Sequence, residues 1–253
     1  MLRDARDYQI LFLSLFLLLG LATRDWTLKP AAIGVVIATC LLTQFIFSVI
    51  YGHRSGSASV TSDLQLPAAV LSPPRWLPVI TGLRAVASQP LNWRSPLISA
   101  LGLSLLLRVD HLPTMALAAF VAIASKFICK VEGKHFFNPA NLGIIAALTL
   151  THDAWVSPGQ WGAEVWYALI FIGAGGMVLK RVGRWDTTAA FLGSYALLEA
   201  GRNLYLGWTW DVWLHRLSSG SLLLFALFMV TDPRSIPNAR PARLIWALSL
   251  AGL

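Results

Sequence analysis

The chain is poor in charged residues and has almost no cysteine. Only 13% of its 253 residues are charged, against about 25% in a soluble domain, which excludes an ordinary soluble fold. Its two cysteines, Cys40 and Cys129, lie inside apolar runs, so we expect packed thiols and no disulfide. The five histidines are scattered without ligand spacing, and we therefore expect no metal site.

Nucleotide-binding motifs are missing as well. Gly133-Lys134-His135 lacks the preceding glycine of a P-loop, and no dinucleotide fingerprint is present. The net charge of +8 could indicate a nucleic-acid partner. In a multi-spanning membrane protein, however, lysine and arginine collect in cytoplasmic loops. We therefore expect the lipid bilayer as a partner and no nucleic acid.

Apolar runs recur along the whole chain, which is 56% hydrophobic. They predict an all-α polytopic membrane protein with about nine transmembrane or half-spanning helices. A span needs ~20 apolar residues, and fewer where a helix is broken or buried in protein. The third, fifth and eighth segments are short, as half-helices are. The nine segments are 8–23, 30–51, 95–107, 113–129, 139–151, 164–179, 187–205, 217–230 and 241–253.

Two of the short segments resemble each other. Ser99 to Asp110 and Ser221 to Asp232 both begin with serine, continue with leucines and end in aspartate. We predict a single membrane domain, 1–253, in which repeat 8–151 (with a cytoplasmic loop 52–94) is inverted relative to repeat 164–253. The second repeat is expected to lack its last helix. The functional site of such a protein is expected between the halves, at the broken helices.

Loop charge predicts the orientation. With a cytoplasmic N-terminus, the inside loops hold most of the lysines and arginines, and the outside loop 152–163 holds none. The long inside loop 52–94 begins with the polar stretch 55–62, for which we expect flexibility. Tryptophans lie near most predicted segment ends, as in an aromatic belt.

Polar residues inside or beside the apolar segments are the candidate site. Lys126 lies within a predicted span, where an ionisable group is functional by default unless it reaches the interface; Glu132 is its nearest acidic neighbour in the sequence. Asn138 suits the N-cap and Pro139 the first position of the fifth segment. Capping does not explain Asn141, which we expect to face inward.

The second broken segment ends in Thr231-Asp232-Pro233. Asp232 either pairs with Arg234 or Arg216, or helps to bind a cation. A helix N-terminus near the middle of the membrane, such as the one at Asn138, favours an anionic group, for example a phosphate or a reduced flavin ring.

Several motifs together resemble the RnfD/NqrB family of membrane subunits in ion-translocating electron-transport complexes, including its short UnbU-like relatives. The resemblance runs from about residue 95 to the end of the chain. It implies inverted repeats, a flavin in the membrane domain, other redox subunits as partners and a location in the bacterial cytoplasmic (inner) membrane. It also adds Ser219 and Gly220 to the candidate cofactor-binding residues. The motifs are Lys126, Phe137–Gly143, Arg184-Trp185, Ser219-Gly220, Thr231–Pro233 and Arg243-Leu244.

The chain departs from this family in one loop. Full-length members carry a flavin on a threonine in a long external loop, whereas loop 152–163 has no acceptor motif. The stretch from Ser55 to Thr61 imitates one but falls in the predicted inside loop. We therefore expect a non-covalent flavin, FMN or riboflavin, in a subunit that is not catalytic alone, and sodium pumping is not implied. A small-solute transporter or channel and a membrane scaffold without redox activity remain alternative functions.

Overall fold

The computed structural model describes residues 4–23, 28–63, 93–131, 134–156, 161 and 165–252, with the backbone alone for 52–63 and 165. Ten α-helices and four short strands occur in this part of the chain. The helices are α1 (Ala5–Thr23), α2 (Pro30–Asp63), α3 (Arg94–Leu106), α4 (Leu112–Ile128), α5 (Pro139–Leu150), α6 (Val165–Val182), α7 (Trp185–Leu206), α8 (Trp210–Leu217), α9 (Gly220–Leu224) and α10 (Arg240–Ala251). A π-helical turn, Phe225–Met229, continues α9.

Local sequence signals explain where several helices begin and end. Proline stands in the first turn of α4, α5 and α10, where its missing N–H has no partner within the helix anyway. Helix α7 ends at Gly207, whose φ of 66° is left-handed and favours glycine. These residues fix the ends of the helices, while apolar packing fixes their positions.

The helices pack around a large apolar cluster and a smaller one, in which α7, the π turn and α10 meet. Helix α1 packs on α3 and α6, α2 packs on α3 and α4, α4 packs on α5, and α7 packs on α10. At the centre, the Phe16 ring of α1 makes edge-to-face contacts with Phe171 of α6 and Phe228 of the π turn, with ring centroids 4.6 Å and 5.5 Å away. Such pairs add to the burial energy of the rings. They join the start of the chain to its second half.

The ends of the helices gather at two opposite faces. On one, which we call the Lys126 face, the starts of α1, α3 and α5, the ends of α4 and α6, and the turn 231–235 surround a cavity. On the other, the Asp153 face, strand β1 (Leu107–Val109) pairs with β4 (Ala154–Val156), and Thr23 at the end of α1 contacts Tyr167 near the start of α6. Strands β2 (Lys130–Val131) and β3 (Lys134–His135) form a hairpin between α4 and α5.

Helix directions follow from these faces. Helix α3 starts beside Lys126 and leads into β1, so it runs from the Lys126 face to the Asp153 face. The α9 and π-turn segment runs the other way, from Gly220 against Trp161 to Met229 beside the cavity. The two broken segments therefore run in opposite directions, as an inverted repeat requires. The repeat itself remains a prediction.

Each of the nine predicted segments contains a helix, but two predictions need correction. The polar opening of loop 52–94 is not irregular, because α2 continues to Asp63; residues 64–92 lie outside the described residues. The connection between the predicted segments 187–205 and 217–230 is not irregular either. It contains the amphipathic helix α8, which carries Trp210, Trp213 and Leu214. A short stretch of mixed polar and apolar residues was too weak a signal for a helix.

By length and composition, two described helices can cross a membrane: α1 and the first part of α2, Pro30–Tyr51. A third candidate is α8 together with α9 and the π turn, which meet at a 43° bend. Helices α3, α4 and α5 are apolar but shorter, which the sequence predicted for α3 and α5 and not for α4. The chain is a helical membrane protein, and the count of nine spanning or half-spanning helices remains a prediction.

Candidate functional site

A cavity of about 520 Å³ opens on the Lys126 face. This volume lies within the range of small-ligand sites, about 300–1,000 Å³. Its depth is apolar, with Leu13, Ile98, Leu105, Phe228 and Met229 among the lining residues. Its polar groups include Asp4, Arg6, Ser95, Ser99, Lys126, His135, Asn138, Arg181, Thr231, Asp232 and Arg234. An apolar pocket with a few convergent polar groups is the default binding site of an uncharacterised protein.

Lys126 lies at the end of α4 and is buried, with 8% of its surface exposed. Its ammonium group donates to the Ser95 carbonyl (3.3 Å), the Ser95 hydroxyl (3.1 Å) and the Ser99 hydroxyl (3.0 Å). The side chain therefore points into the protein rather than out to the interface, and it ties α4 to the start of α3. Its possible partner Glu132 lies outside the described residues. The three observed partners are uncharged oxygens, so they bind the ammonium without neutralising it.

Asp232 follows the π turn and pairs with His135. The His135 Nε2 and Asp232 Oδ2 atoms are 3.3 Å apart, and Asp232 Oδ1 accepts the backbone N–H of Arg234 at 3.1 Å. The contact links the β2–β3 hairpin to turn 231–235. Thr231 is buried beside Asp232 and also lines the cavity.

The predicted pairing of Asp232 with the side chain of Arg234 or Arg216 was therefore wrong. Arg234 donates through its backbone, and the Arg216 guanidinium instead binds Glu199, with N–O distances of 2.9 and 3.0 Å. Arg216 lies near the end of α8, close to the Asp153 face and far from the turn 231–235. Glu199 also pairs with Arg202, at 3.5 Å.

The start of α5 reaches the cavity as the sequence indicated. The Asn138 side-chain oxygen accepts the backbone N–H of Asn141 at 3.3 Å, which confirms Asn138 as the N-cap. Its amide nitrogen donates to the Met229 carbonyl at 3.2 Å, so it also supplies a partner for the freed backbone of the π turn. Pro139 is buried and lines the cavity.

Three predicted site residues lie elsewhere. Asn141 is half-buried in the first turn of α5 and does not line the cavity. Ser219 and Gly220 lie at the start of α9 near the Asp153 face. A Cβ atom at Gly220 would come within 2.6 Å of the Trp161 ring, so close packing explains this glycine. The cavity thus brings together Lys126, Asn138, Pro139, Thr231 and Asp232.

Sequence reasoning missed His135, Arg6 and Arg181, which also line the cavity. In the sequence, His135 belongs to the incomplete P-loop fragment Gly133-Lys134-His135. A single histidine in a loop gives no signal of its own. In the sequence, Arg6 and Arg181 contribute only to the loop charge that predicts the orientation in the membrane. Their positions depend on α1 and α6 packing side by side, which no local pattern predicts.

The lining of the cavity combines apolar walls with polar and charged groups. No group of three or more His, Cys, Asp or Glu side chains occurs among the residues that the structure describes. The cavity instead offers an apolar depth and a mouth with several cations. The volume, the apolar walls and the hydrogen-bonding groups fit a flavin, whose fused ring is flat and whose edges are polar.

Comparison with protein families gives one finding. Residues 149–253 match the model of the NQR2, RnfD, RnfE family, which confirms the predicted resemblance over that part of the chain. A search of curated proteins finds no match. The matched part includes Thr231 and Asp232, whereas Lys126, Asn138 and Pro139 precede it. The structure places both groups at one cavity.

Proposed function

We propose that this RnfD/NqrB-like membrane subunit transfers electrons through a flavin that it binds without a covalent bond. The family match supports a membrane subunit of an Rnf- or Nqr-type complex. The single observation that carries the flavin proposal is the cavity on the Lys126 face, where residues from both halves of the chain line an apolar pocket of suitable size.

The residues of the cavity suggest how such a ligand would be held. Lys126 supplies a positive charge deep in the protein, and Asn138 and Thr231 supply polar groups at its wall. Leu105, Phe228 and other apolar side chains would exclude water from the ring. A flavin supplies one- and two-electron chemistry, and the protein contributes binding, orientation and electrostatics.

A positive charge near a flavin ring favours the reduced anionic form. Lys126 is therefore the residue expected to raise the ligand's affinity for electrons, because its hydrogen-bond partners among the described residues are all uncharged. Electrons would enter and leave through other redox subunits of a membrane complex, which we propose as partners together with the bilayer. The proposed location is the bacterial cytoplasmic membrane, with the N-terminus in the cytoplasm.

The visible absorption spectrum of the detergent-purified chain tests the proposal. A flavin band near one equivalent per chain is expected. Gly102→Leu should remove it, since Gly102 lines the cavity and a Cβ there would already lie 3.3 Å from Met229. Gly173→Leu is the control, because a Cβ there meets nothing within 4 Å. A spectrum without flavin would favour a transporter, a channel or a scaffold.

The non-covalent attachment has its own test. After denaturing electrophoresis, no flavin fluorescence should remain with the protein band. A fluorescent band that disappears in Thr61→Ala would show covalent attachment there, and it would also contradict the predicted cytoplasmic position of loop 52–94. Gel fluorescence of the unaltered chain and of Thr61→Ala, run side by side, separates these outcomes.

A further inference from the structure

We propose that the cavity recognises a phosphomonoester, so that among ligands with the same apolar body it selects the phosphorylated one. Three cations carry this inference: Lys126, Arg181 and Arg234 line the cavity, and none of them makes an ion pair with a carboxylate in the described part of the chain. The choice of a flavin as probe rests on the proposed function, whereas the recognition of phosphate does not.

The two carboxylates that line the cavity are already engaged. The Arg6 guanidinium binds Asp4 with N–O distances of 2.7 to 3.2 Å, and these hydrogen bonds hold the pKa of the Asp4 carboxyl below its ordinary value. Asp232 accepts from the Arg234 backbone and pairs with His135. Neither carboxylate forms an ion pair with one of the three cations, and the charge of Asp4 is balanced by Arg6. The cavity therefore carries an excess of positive charge.

Lys126 provides the deep part of this charge. Because it is buried beside apolar side chains, water screens its charge only weakly. A buried charge that is not ion-paired is costly, and an anionic ligand in the cavity would lower that cost. The first turn of α3 begins at Arg94, close to Lys126, and its backbone N–H groups add to the positive potential.

Arg181 and Arg234 provide the outer part, at the mouth. Both side chains are exposed, so they can change rotamer to meet a ligand. The Arg181 guanidinium lies over the Tyr8 ring, 5.2 Å from its centroid, which keeps it beside the opening. Guanidinium groups bind phosphate through two parallel hydrogen bonds to two of its oxygens. A neutral hydroxyl group has a single oxygen and cannot accept both bonds in this geometry.

The apolar depth and the cationic mouth together define the ligand class. An inorganic anion would leave the walls formed by Leu13, Ile98 and Phe228 without a partner, and a neutral aromatic molecule would leave the cations without one. A flat apolar body that carries a terminal phosphate satisfies both parts. Its phosphate would lie towards Arg181 and Arg234.

FMN and riboflavin are a matched pair of probes, since they differ only in the phosphate. Titration of the ligand-free purified chain, followed by flavin fluorescence, should give an affinity for FMN about tenfold or more above that for riboflavin. In Arg181→Gln/Arg234→Gln, FMN affinity should fall to the riboflavin level while riboflavin affinity stays unchanged. Lys180→Gln is the control, because Lys180 is exposed on the same helix but does not line the cavity.

Each remaining outcome decides one of the two proposals. Equal affinity for the two flavins, or an undiminished preference in the double variant, would overturn phosphate recognition and leave the flavin proposal intact. If neither flavin binds, the flavin proposal fails. Inorganic phosphate at constant ionic strength then decides the inference: a higher Tm that is lost in the double variant supports it, and an unchanged Tm overturns it.

Discussion

Lys126 combines an observed structural role with a proposed functional one. Its ammonium group joins α4 to Ser95 and Ser99 of α3, which explains why the side chain stays inside rather than reaching the interface. The same geometry leaves its charge facing the cavity. We therefore expect stability and ligand binding to depend on different properties of this side chain, its hydrogen bonds and its charge.

Substitution Lys126→Met separates these properties. Methionine has a similar length, so we expect a change in unfolding free energy of no more than about 2 kcal/mol, because the hydroxyl oxygens lose a donor but a buried charge is also removed. FMN affinity should fall about tenfold or more. The measurements are thermal unfolding in detergent and FMN titration. Lys180→Met should change neither, and unchanged FMN binding in Lys126→Met would contradict the role of the charge.

Asn138 joins two elements through the two ends of its amide. Asn138→Ala should lower stability by about 1–2 kcal/mol through loss of the N-cap, and somewhat more through the lost hydrogen bond to the Met229 carbonyl, which keeps the Asp232 N–H as a donor. Asn138→Asp keeps the cap acceptor and loses the donor, so an intermediate loss is expected. Thermal unfolding of both variants is the measurement.

Asn141→Ala is the matched control for these variants. Asn141 supplies its backbone N–H to the cap, and alanine keeps that group. Its stability should lie within about 0.5 kcal/mol of the unaltered chain. If Asn141→Ala were as damaging as Asn138→Ala, the side chain of Asn141 would have a role that its position outside the cavity does not explain.

At the scale of elements, the contact between α4 and α5 depends on one glycine. A Cβ at Gly143 would lie 2.5 Å from the Ala118 carbonyl oxygen and 3.0 Å from the Ala122 Cβ. Small residues let helix backbones approach closely in membrane proteins. Among the glycines of α6, Gly175 also approaches a neighbour, Leu227, whereas a Cβ at Gly173 or Gly176 would meet nothing within 4 Å.

Paired glycine substitutions test this crossing. Gly143→Ala should destabilise the chain by about 1–3 kcal/mol, because the two backbones must separate. Gly173→Ala should be neutral or stabilising by up to about 1 kcal/mol, since alanine is the better helix former and meets nothing there. Thermal unfolding of the two variants in one detergent compares them. Equal Tm values would show that α4 and α5 can move apart without cost.

At the scale of the whole molecule, charge is distributed unequally between the two faces. Described basic residues are concentrated on the Lys126 face, whereas the Asp153 face has few. Those near the Lys126 face are Arg6, Arg94, Lys130, Lys134, Lys180, Arg181, Arg184, Arg234, Arg240 and Arg243. By the positive-inside rule, this face and the cavity mouth should open to the cytoplasm.

Cysteine labelling tests that orientation. In a Cys129→Ser background, an impermeant thiol reagent applied to intact bacteria should label His152→Cys and should label Lys180→Cys only after the membrane is permeabilised. Both residues are exposed, one near each face, and Cys40 is buried. The reverse pattern would place the cavity mouth outside the cell, and it would remove the charge argument for a cytoplasmic N-terminus.

The sequence by itself determined the class of protein and most of its helices. Apolar runs, the scarcity of charge and the caps at Asn138-Pro139 are local properties, so they can be read without knowing which segments touch. Motif order was sufficient to predict the family that the C-terminal part matches. The same local signals selected Lys126, Asn138, Pro139, Thr231 and Asp232, all of which line the cavity.

Only the tertiary structure decided the partners of these residues. The pairing of His135 with Asp232, the ties from Lys126 to Ser95 and Ser99, and the position of Arg181 at the mouth all join segments far apart in the chain. Such contacts depend on how helices cross and in which direction they run. A single sequence specifies those properties through packing of the whole core, which no local pattern contains.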